Sequence, residues 1–347
     1  MNKSKKLSAS SHPLLSRNAA FTNLIVYVDG ITRSGKSLLG PVIASFDGVE
    51  IEHVEEIFEY VGLLHRWGKI SHDAAIATLR LEADLFMYNS LIGRNSNFRL
   101  NDHSGVLNYP EPKIYYSRLT CPEGKAVLDR LDQEHLIFQN QTHDQLLNLS
   151  LHHEAFGDRF RMLEMIRHPI DLIDSWMRRG WGNRFGNDPL AFTYTFDFKG
   201  TELPWYSAGW EQDFLQASEY GRIVRMIDLL WGTGIQAFNN ASLKARQAVF
   251  ILKFDDITSN PLEITNELAR FLHTVFSEQT NETLRRERCP RTLDYAQRDK
   301  LRESISTQLD EYACKAVDSL ITSYSIISSG THTVLPKYIS PWNSKHK

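Results

Sequence analysis

Leu24-Ile25-Val26-Tyr27-Val28-Asp29-Gly30-Ile31-Thr32-Arg33-Ser34-Gly35-Lys36-Ser37-Leu38-Leu39 is the stretch on which the fold turns. Leu24 to Asp29 is a short apolar run, partly β-branched and bounded by Gly30, which predicts a strand. A helix is expected to begin within Gly35–Ser37 and to run into Ile43, with Pro41 near its first turns, where proline costs least. Gly30 to Ser37 fits the pattern G-x-x-x-x-G-K-[ST] in the strand-to-helix setting that the pattern needs. Glycines let the backbone turn tightly around an anion. Amide N–H groups and the helix N-terminus then face its oxygens, and Lys36 adds a mobile positive charge. The stretch reads as a cradle for a phosphorylated ligand. It does not by itself separate nucleoside triphosphates from other phosphate esters. A P-loop kinase or NTPase using ATP and Mg²⁺ also needs a strand-end Asp for the metal, and Asp255 or Asp256, after Val249–Phe254, is the candidate.

Working outward, Val49–Val54, His135–Gln141, Phe160–Ile166 and Val249–Phe254 read as further strands. Helices are expected over Glu55–Leu64, Asp73–Leu91, Pro122–Leu131, Pro169–Arg179 and Pro261–Leu272, with one more over about Asp299–Ser323. The polar interval Gly93–Pro112 reads as loop. Strands alternating with helices predict an α/β fold: a three-layer, P-loop-type parallel sheet flanked by helices. The chain has seven Trp, 13 Tyr and 18 Phe, and 11 of these fall within 181–220, so this segment reads as an aromatic-rich insertion on the sheet. Residues 1–20, with Lys3, Lys5, Lys6 and Arg17, read as a flexible tail. Residues 21–330 form one domain ending in a helical extension, and 331–347 a second tail.

Composition narrows the class. Among 347 residues, 39 Lys and Arg against 42 Asp and Glu give a net charge of −3, which argues against a nucleic-acid partner. The 42% hydrophobic content supports a large core and excludes a mainly disordered chain. Cys121, Cys289 and Cys314 form no CxxC pair, so neither a disulfide framework nor a cysteine zinc site is expected, and a reducing, cytoplasmic setting fits. No apolar run is long enough for a transmembrane segment. His152-His153-Glu154 lacks the H-E-x-x-H spacing of a metal helix and reads as a surface helix.

Arg167-His168-Pro169-Ile170-Asp171-Leu172-Ile173-Asp174-Ser175 is the second informative stretch. An Arg at a strand end and a Ser two turns into the following helix can converge on one phosphate. Here the sequence resembles the sulfotransferases that use 3′-phosphoadenosine 5′-phosphosulfate (PAPS). The resemblance runs from about residue 22 to 275 and is most specific at Arg33–Ser37 and Arg167–Ser175. It implies that Arg33, Ser34, Gly35, Lys36, Ser37 and Leu38 hold the 5′-phosphosulfate and that Arg167 and Ser175 hold the 3′-phosphate, a group ATP lacks. Asp255 and Asp256 then take a structural role, and no metal is required. Many family members have Thr where Lys36 stands. The family's C-terminal Arg-Lys-Gly segment is absent as such; Arg285, Arg286 and Arg288 are either its substitute or a solvated cluster.

The implied reaction moves a sulfuryl group to a hydroxyl or amine of an acceptor, a carbohydrate or other small metabolite. Lys36 would stabilise the leaving phosphate. A general base is needed. Thr142-His143 resembles the family's Thr-His step, which makes His143 one candidate; Glu55 or Glu52, after the second strand, is the other. Asp171 reads as a first-turn acid favourable to the helix dipole. The aromatic insertion is an acceptor-binding wall, or else a packed cap or homodimer contact.

Overall fold

The computed structural model describes residues 13–109 and 111–344. Its element order is β1 (Leu24–Asp29), α1 (Lys36–Ala44), β2 (Val49–His53), α2 (Ile57–Arg66), α3 (His72–Leu91), β3 (Ile137–Gln141), α4 (Leu149–Phe156), β4 (Phe160–Ile166), α5 (Pro169–Met177), β5 (Thr195–Phe198), β6 (Thr201–Pro204), α6 (Glu219–Asn240), β7 (Val249–Lys253), α7 (Phe254–Ser259), α8 (Pro261–Phe271), α9 (Tyr295–Ser306), α10 (Glu311–Ile326) and β8 (Gly330–Thr331), with further helices between. The main sheet has the order β2-β3-β1-β4-β7-β8. Its first five strands are parallel and β8 pairs antiparallel at the edge. The α/β fold expected from the alternating pattern is the one found.

Strand β1 sits in the middle and explains why its sequence is apolar throughout. Ile25 and Tyr27 face one layer with Phe58, Leu79, Phe138 and Ile227. Val26 and Val28 face the other, with Leu38, Leu39, Val42 and Leu268. Each such fully buried aliphatic side chain contributes about 1.5–3 kcal/mol. The chain leaves β1 toward β2 and β3 on one side and reaches β4 and β7 on the other. Strand order therefore reverses beside β1, the place where ligands bind at the carboxyl ends of open α/β sheets. The Gly30 loop, Thr142-His143 and Arg167 follow β1, β3 and β4 at that edge.

Several expectations change. The single C-terminal helix is two, α9 and α10, broken at Thr307–Asp310; Asp310 caps the second by accepting from the Ala313 N–H at 2.8 Å. The long helix α6 and the β5–β6 hairpin emerge from the stretches without clear periodicity. Of the residues read as tails, 1–12 and 345–347 lie outside the described residues. Arg17 donates to the buried Asp84, with Nε at 2.8 Å, and residues 332–344 run back over α6, burying Leu335 and Trp342. Tyr338 and Ser340 both donate to Asp228 there. His152 is buried on α4, between Tyr27 Oη at 3.3 Å and Gln145 Oε1 at 2.9 Å, so the reading of that pair as wholly surface is corrected. Among the described residues, no helix is long and apolar enough to cross a membrane.

One ion pair lies deep beside β2. Arg118 forks onto Glu50 at 2.5 and 2.7 Å, and both side chains are almost wholly buried.

Candidate active site

The loop after β1 is shaped by contacts that only glycine tolerates. Gly30 has φ +139°, and a Cβ there would lie 2.3 Å from the Met165 carbonyl oxygen. Gly35 has φ +113°, and its Cβ would meet the Phe254 ring at 2.3 Å. Arg33 also takes a left-handed conformation, φ +73°, unusual for a residue with a Cβ. Lys36, 4% exposed, turns back to donate to the Gly30 carbonyl at 2.5 Å. Burial pulls its ammonium down from the usual lysine range, while Asp29, Asp144, Glu59 and Glu164 push it back up. Ser34 is buried and its Oγ has no hydrogen-bond partner. Ser37 stands exposed in the first turn of α1. Leu38 packs its side chain into the core, and its N–H already donates to Gly35 O at 3.0 Å.

The second stretch converges on the first. Arg167 Nη1 donates to the Arg33 carbonyl at 3.0 Å, and Arg33 Nε donates to Ser175 Oγ at 3.3 Å. Trp176 Nε1 pins Thr32 O at 2.8 Å. Arg167 Nε is buried without a partner. The guanidinium of Arg33 is drawn below its usual range by desolvation and by the neighbouring charges of Arg179, Arg167 and Arg178. Clustered cations with unpartnered donors are an anion site in physical terms. Two contributors were not read from the sequence. Phe254 packs on Gly35 and carries the Arg167 guanidinium 5.1 Å above its ring and that of Arg291 at 5.8 Å. Arg291 follows Arg285, Arg286 and Arg288; Arg286 lies 3.8 Å from Glu287, and Arg285 borders a separate cleft with Cys289 and Pro290.

Asp255 and Asp256 are engaged by other partners. Asp255 and Asp171 share Arg298, at 3.0 and 2.7 Å, and Asp256 accepts from Ser329 Oγ at 2.7 Å. Asp174 pairs with Arg178. Asp171 does lie in the first turn of α5, with this added ion-pair role. Among the described residues no group of His, Cys, Asp and Glu gathers in a metal-like cluster.

The three candidate bases are separated by the fold. His143 borders a cavity of about 290 Å³ that continues from the loop residue Thr32. Its Nδ1 lies 2.9 Å from Glu59 Oε1, which also accepts the His143 backbone N–H at 2.9 Å. A carboxylate only accepts, so Nδ1 carries the hydrogen, and in the neutral ring Nε2 is the acceptor. Glu59 is the residue that sequence spacing could not supply, because α2 delivers it from 84 positions away. Asp29 fixes the same loop from below, accepting from Thr142 Oγ1 and the Leu146 N–H, each at 2.9 Å. Glu55 is instead held by Asn95 Nδ2 at 3.3 Å and does not border the cavity. Glu52 lies under α1, its carboxyl where a Cβ on Gly40 would sit. The aromatic insertion supplies the far wall through Trp181, Phe185, Phe192, Tyr194, Trp205 and Tyr206, and it packs on α2 through Tyr60 and Tyr194 at 5.4 Å.

Glu52 predicts a pH effect. Burial pushes its carboxyl up to about 8, opposed by Lys36. The folded state then holds a proton that the unfolded state releases above the ordinary glutamate range, so stability falls as pH rises from about 4.5 to about 8. Glu52→Gln is expected to remove this slope; thermal melting at pH 6 and pH 9 checks it, and an unchanged slope in the variant refutes it.

Compared with family models and with curated proteins, the chain matches none. The solved structures to which it is similar include the sulfotransferase domain from the Synechococcus PCC 7002 olefin synthase, at 13% identity and TM-score 0.46, covering 91% of this chain and 100% of that one. The sulfotransferase domain from the curacin biosynthetic pathway follows at 11% identity and TM-score 0.46, covering 88% and 99%. Sulfotransferase STF1 from Mycobacterium tuberculosis H37Rv shows 11% identity and TM-score 0.37, covering 83% and 77%.

Proposed function

We propose that this chain is a sulfotransferase that takes a sulfuryl group from PAPS and passes it to a hydroxyl or amine of an acceptor held in the aromatic-walled cavity. The observation that carries this reading is the second cationic site beside the phosphate loop. Arg33, Arg167 and Ser175 are brought together beside the loop, which supports a site for a 3′-phosphate, a group that a triphosphate lacks. The residues present fit such a donor: Ser34 Oγ and Arg167 Nε are buried donors without partners. The kinase alternative is less well served, since Asp255 and Asp256 are engaged by Arg298 and Ser329.

On this reading PAPS supplies the activated sulfuryl group. Lys36 and the loop amides lie against the phosphate that gains charge as it leaves. Arg33, Arg167 and Ser175 bind the 3′-phosphate and select against ATP. His143 takes the acceptor proton on Nε2, with Glu59 holding the ring and stabilising the imidazolium. The acceptor is a small metabolite or sugar whose ring stacks on the cavity's aromatic faces.

Thermal-shift measurements test the reading. Adenosine 3′,5′-bisphosphate is expected to protect more than ATP with Mg²⁺, and Arg167→Ala to lose most of that preference. Turnover with PAPS is expected to survive EDTA. Stronger protection by ATP with Mg²⁺, or a strict metal requirement, overturns it.

A separate comparison assigns the base. His143→Ala is expected to lose about 10²–10⁴-fold in kcat with bisphosphate binding retained, while Glu55→Gln stays within a few-fold of the parent. The reverse ranking would move the base to Glu55.

A further inference from the structure

Asp144 and Leu147 border both cavities at the sheet edge, and of the two only Asp144 carries a polar side chain. It lines the 290 Å³ cavity beside His143, and also a small apolar chamber of about 40 Å³ behind the loop with Ser34 and Arg167. Its backbone is left-handed, φ +59°, a conformation that Asp tolerates better than most residues with a Cβ. The residue is 8% exposed, and Oδ1 is buried with no hydrogen-bond partner. Its nearest charged company is Lys36, Asp29 and Glu59, yet it forms an ion pair or hydrogen bond with none of them. Burial pushes its carboxyl well above the usual range, with Lys36 opposing, and a carboxyl that keeps its proton offers a donor as well as an acceptor.

A polar group buried without a partner costs free energy until a ligand supplies one. Thr142 and Leu146 are already tied to Asp29, so the loop is held with Asp144 at the cavity floor, next in sequence to the base. Resting on the sulfotransferase reading for the site, we propose that Asp144 binds a second hydroxyl beside the one that reacts, so that the acceptor class is a cyclic vicinal diol. The reacting hydroxyl meets His143 and the neighbouring hydroxyl both donates to and accepts from Asp144. The aromatic walls take the ring. A site built to bond a hydroxyl discriminates strongly against an analogue that lacks it, because its own polar group is then left unpaired.

Equilibrium binding by calorimetry, without any nucleotide, tests this with catechol against phenol and with cis-cyclohexane-1,2-diol against cyclohexanol. The whole chain is expected to bind each diol at least about tenfold tighter than its mono-ol. Asp144→Ala is expected to abolish the difference and Asp144→Asn to retain part of it, with adenosine 3′,5′-bisphosphate binding unchanged in both. Equal binding of diol and mono-ol by the unmodified chain overturns the inference, whether or not a variant folds. So does an undiminished diol preference in a folded Asp144→Ala. A diol preference with no sulfation of either compound by PAPS supports the inference and sinks the sulfuryl-transfer reading instead.

Discussion

Lys36→Met is expected to lower kcat by about 10²–10³-fold, while bisphosphate affinity falls by far less. The size follows from where the ammonium sits. Lys36 is buried at the first position of α1 and bonded to its own loop carbonyl, so on the proposed reading it is held beside the leaving phosphate before the reaction starts. A cation fixed in a low-dielectric site needs no reorganisation as charge develops, which is why such groups carry so much of the barrier reduction. Methionine keeps the stem and removes the charge. The carboxyls of Glu164 and Asp144, both already pushed well up by burial, lose an opposing influence and rise further, and Asp29 keeps the Thr142 hydroxyl and the Leu146 N–H as donors. Folding should therefore survive. Steady-state kinetics with PAPS, beside a bisphosphate titration, separate the two terms. A loss confined to KM would mean that Lys36 only binds.

Arg118→Met carries the largest expected cost to stability, about 3–5 kcal/mol. The guanidinium meets Glu50 through two bonds, lies 4.6 Å over the Tyr115 ring, and also donates to Ser90 O at 3.4 Å. Removing it strands a carboxylate that is 3% exposed, whose other recorded side-chain donor is Ser90 Oγ at 3.3 Å. The pair itself need not be worth that much, since two desolvation penalties offset its attraction. The double variant Arg118→Met with Glu50→Gln should accordingly recover much of the loss. Urea midpoints for the two variants and the parent decide. A double variant no more stable than Arg118→Met would show that packing, and not the stranded charge, sets the cost.

The parts of the site legible in the sequence are those in which one short segment carries its own geometry. Gly30 to Ser37 holds the turn, the lysine and the helix start within eight positions, and Arg167 to Ser175 holds the strand end, the proline at the first helical position and the hydroxyl two turns on. Contributors that arrive across the fold left no local mark. Glu59 is an ordinary acid on an amphipathic helix until α2 sets it against His143. Phe254 and Arg291 become part of the loop's surroundings only because β7 ends beside Gly35. Glu52 and Glu55 looked equivalent in sequence, yet the register of β2 buries the first under Gly40, while the chain beyond the strand turns the second to Asn95. The break between α9 and α10 rests on one residue, Asp310, whose side chain caps the second helix inside a stretch of otherwise helical character.

Floor and far wall of the large cavity come from different parts of the chain. His143 and Asp144 belong to the sheet edge, tied through Asp29 to the strand that leads into the Gly30 loop. Trp181 to Tyr206 belong to an insertion whose hairpin pairs with itself and not with the sheet. An ancestral exchange of that insertion would leave the proposed donor machinery intact while presenting it with new guests. On the proposed reading the same boundary offers a protein engineer a graft site: the hairpin segment that ends before α6 begins at Glu219 is the part to vary when the aim is a different acceptor.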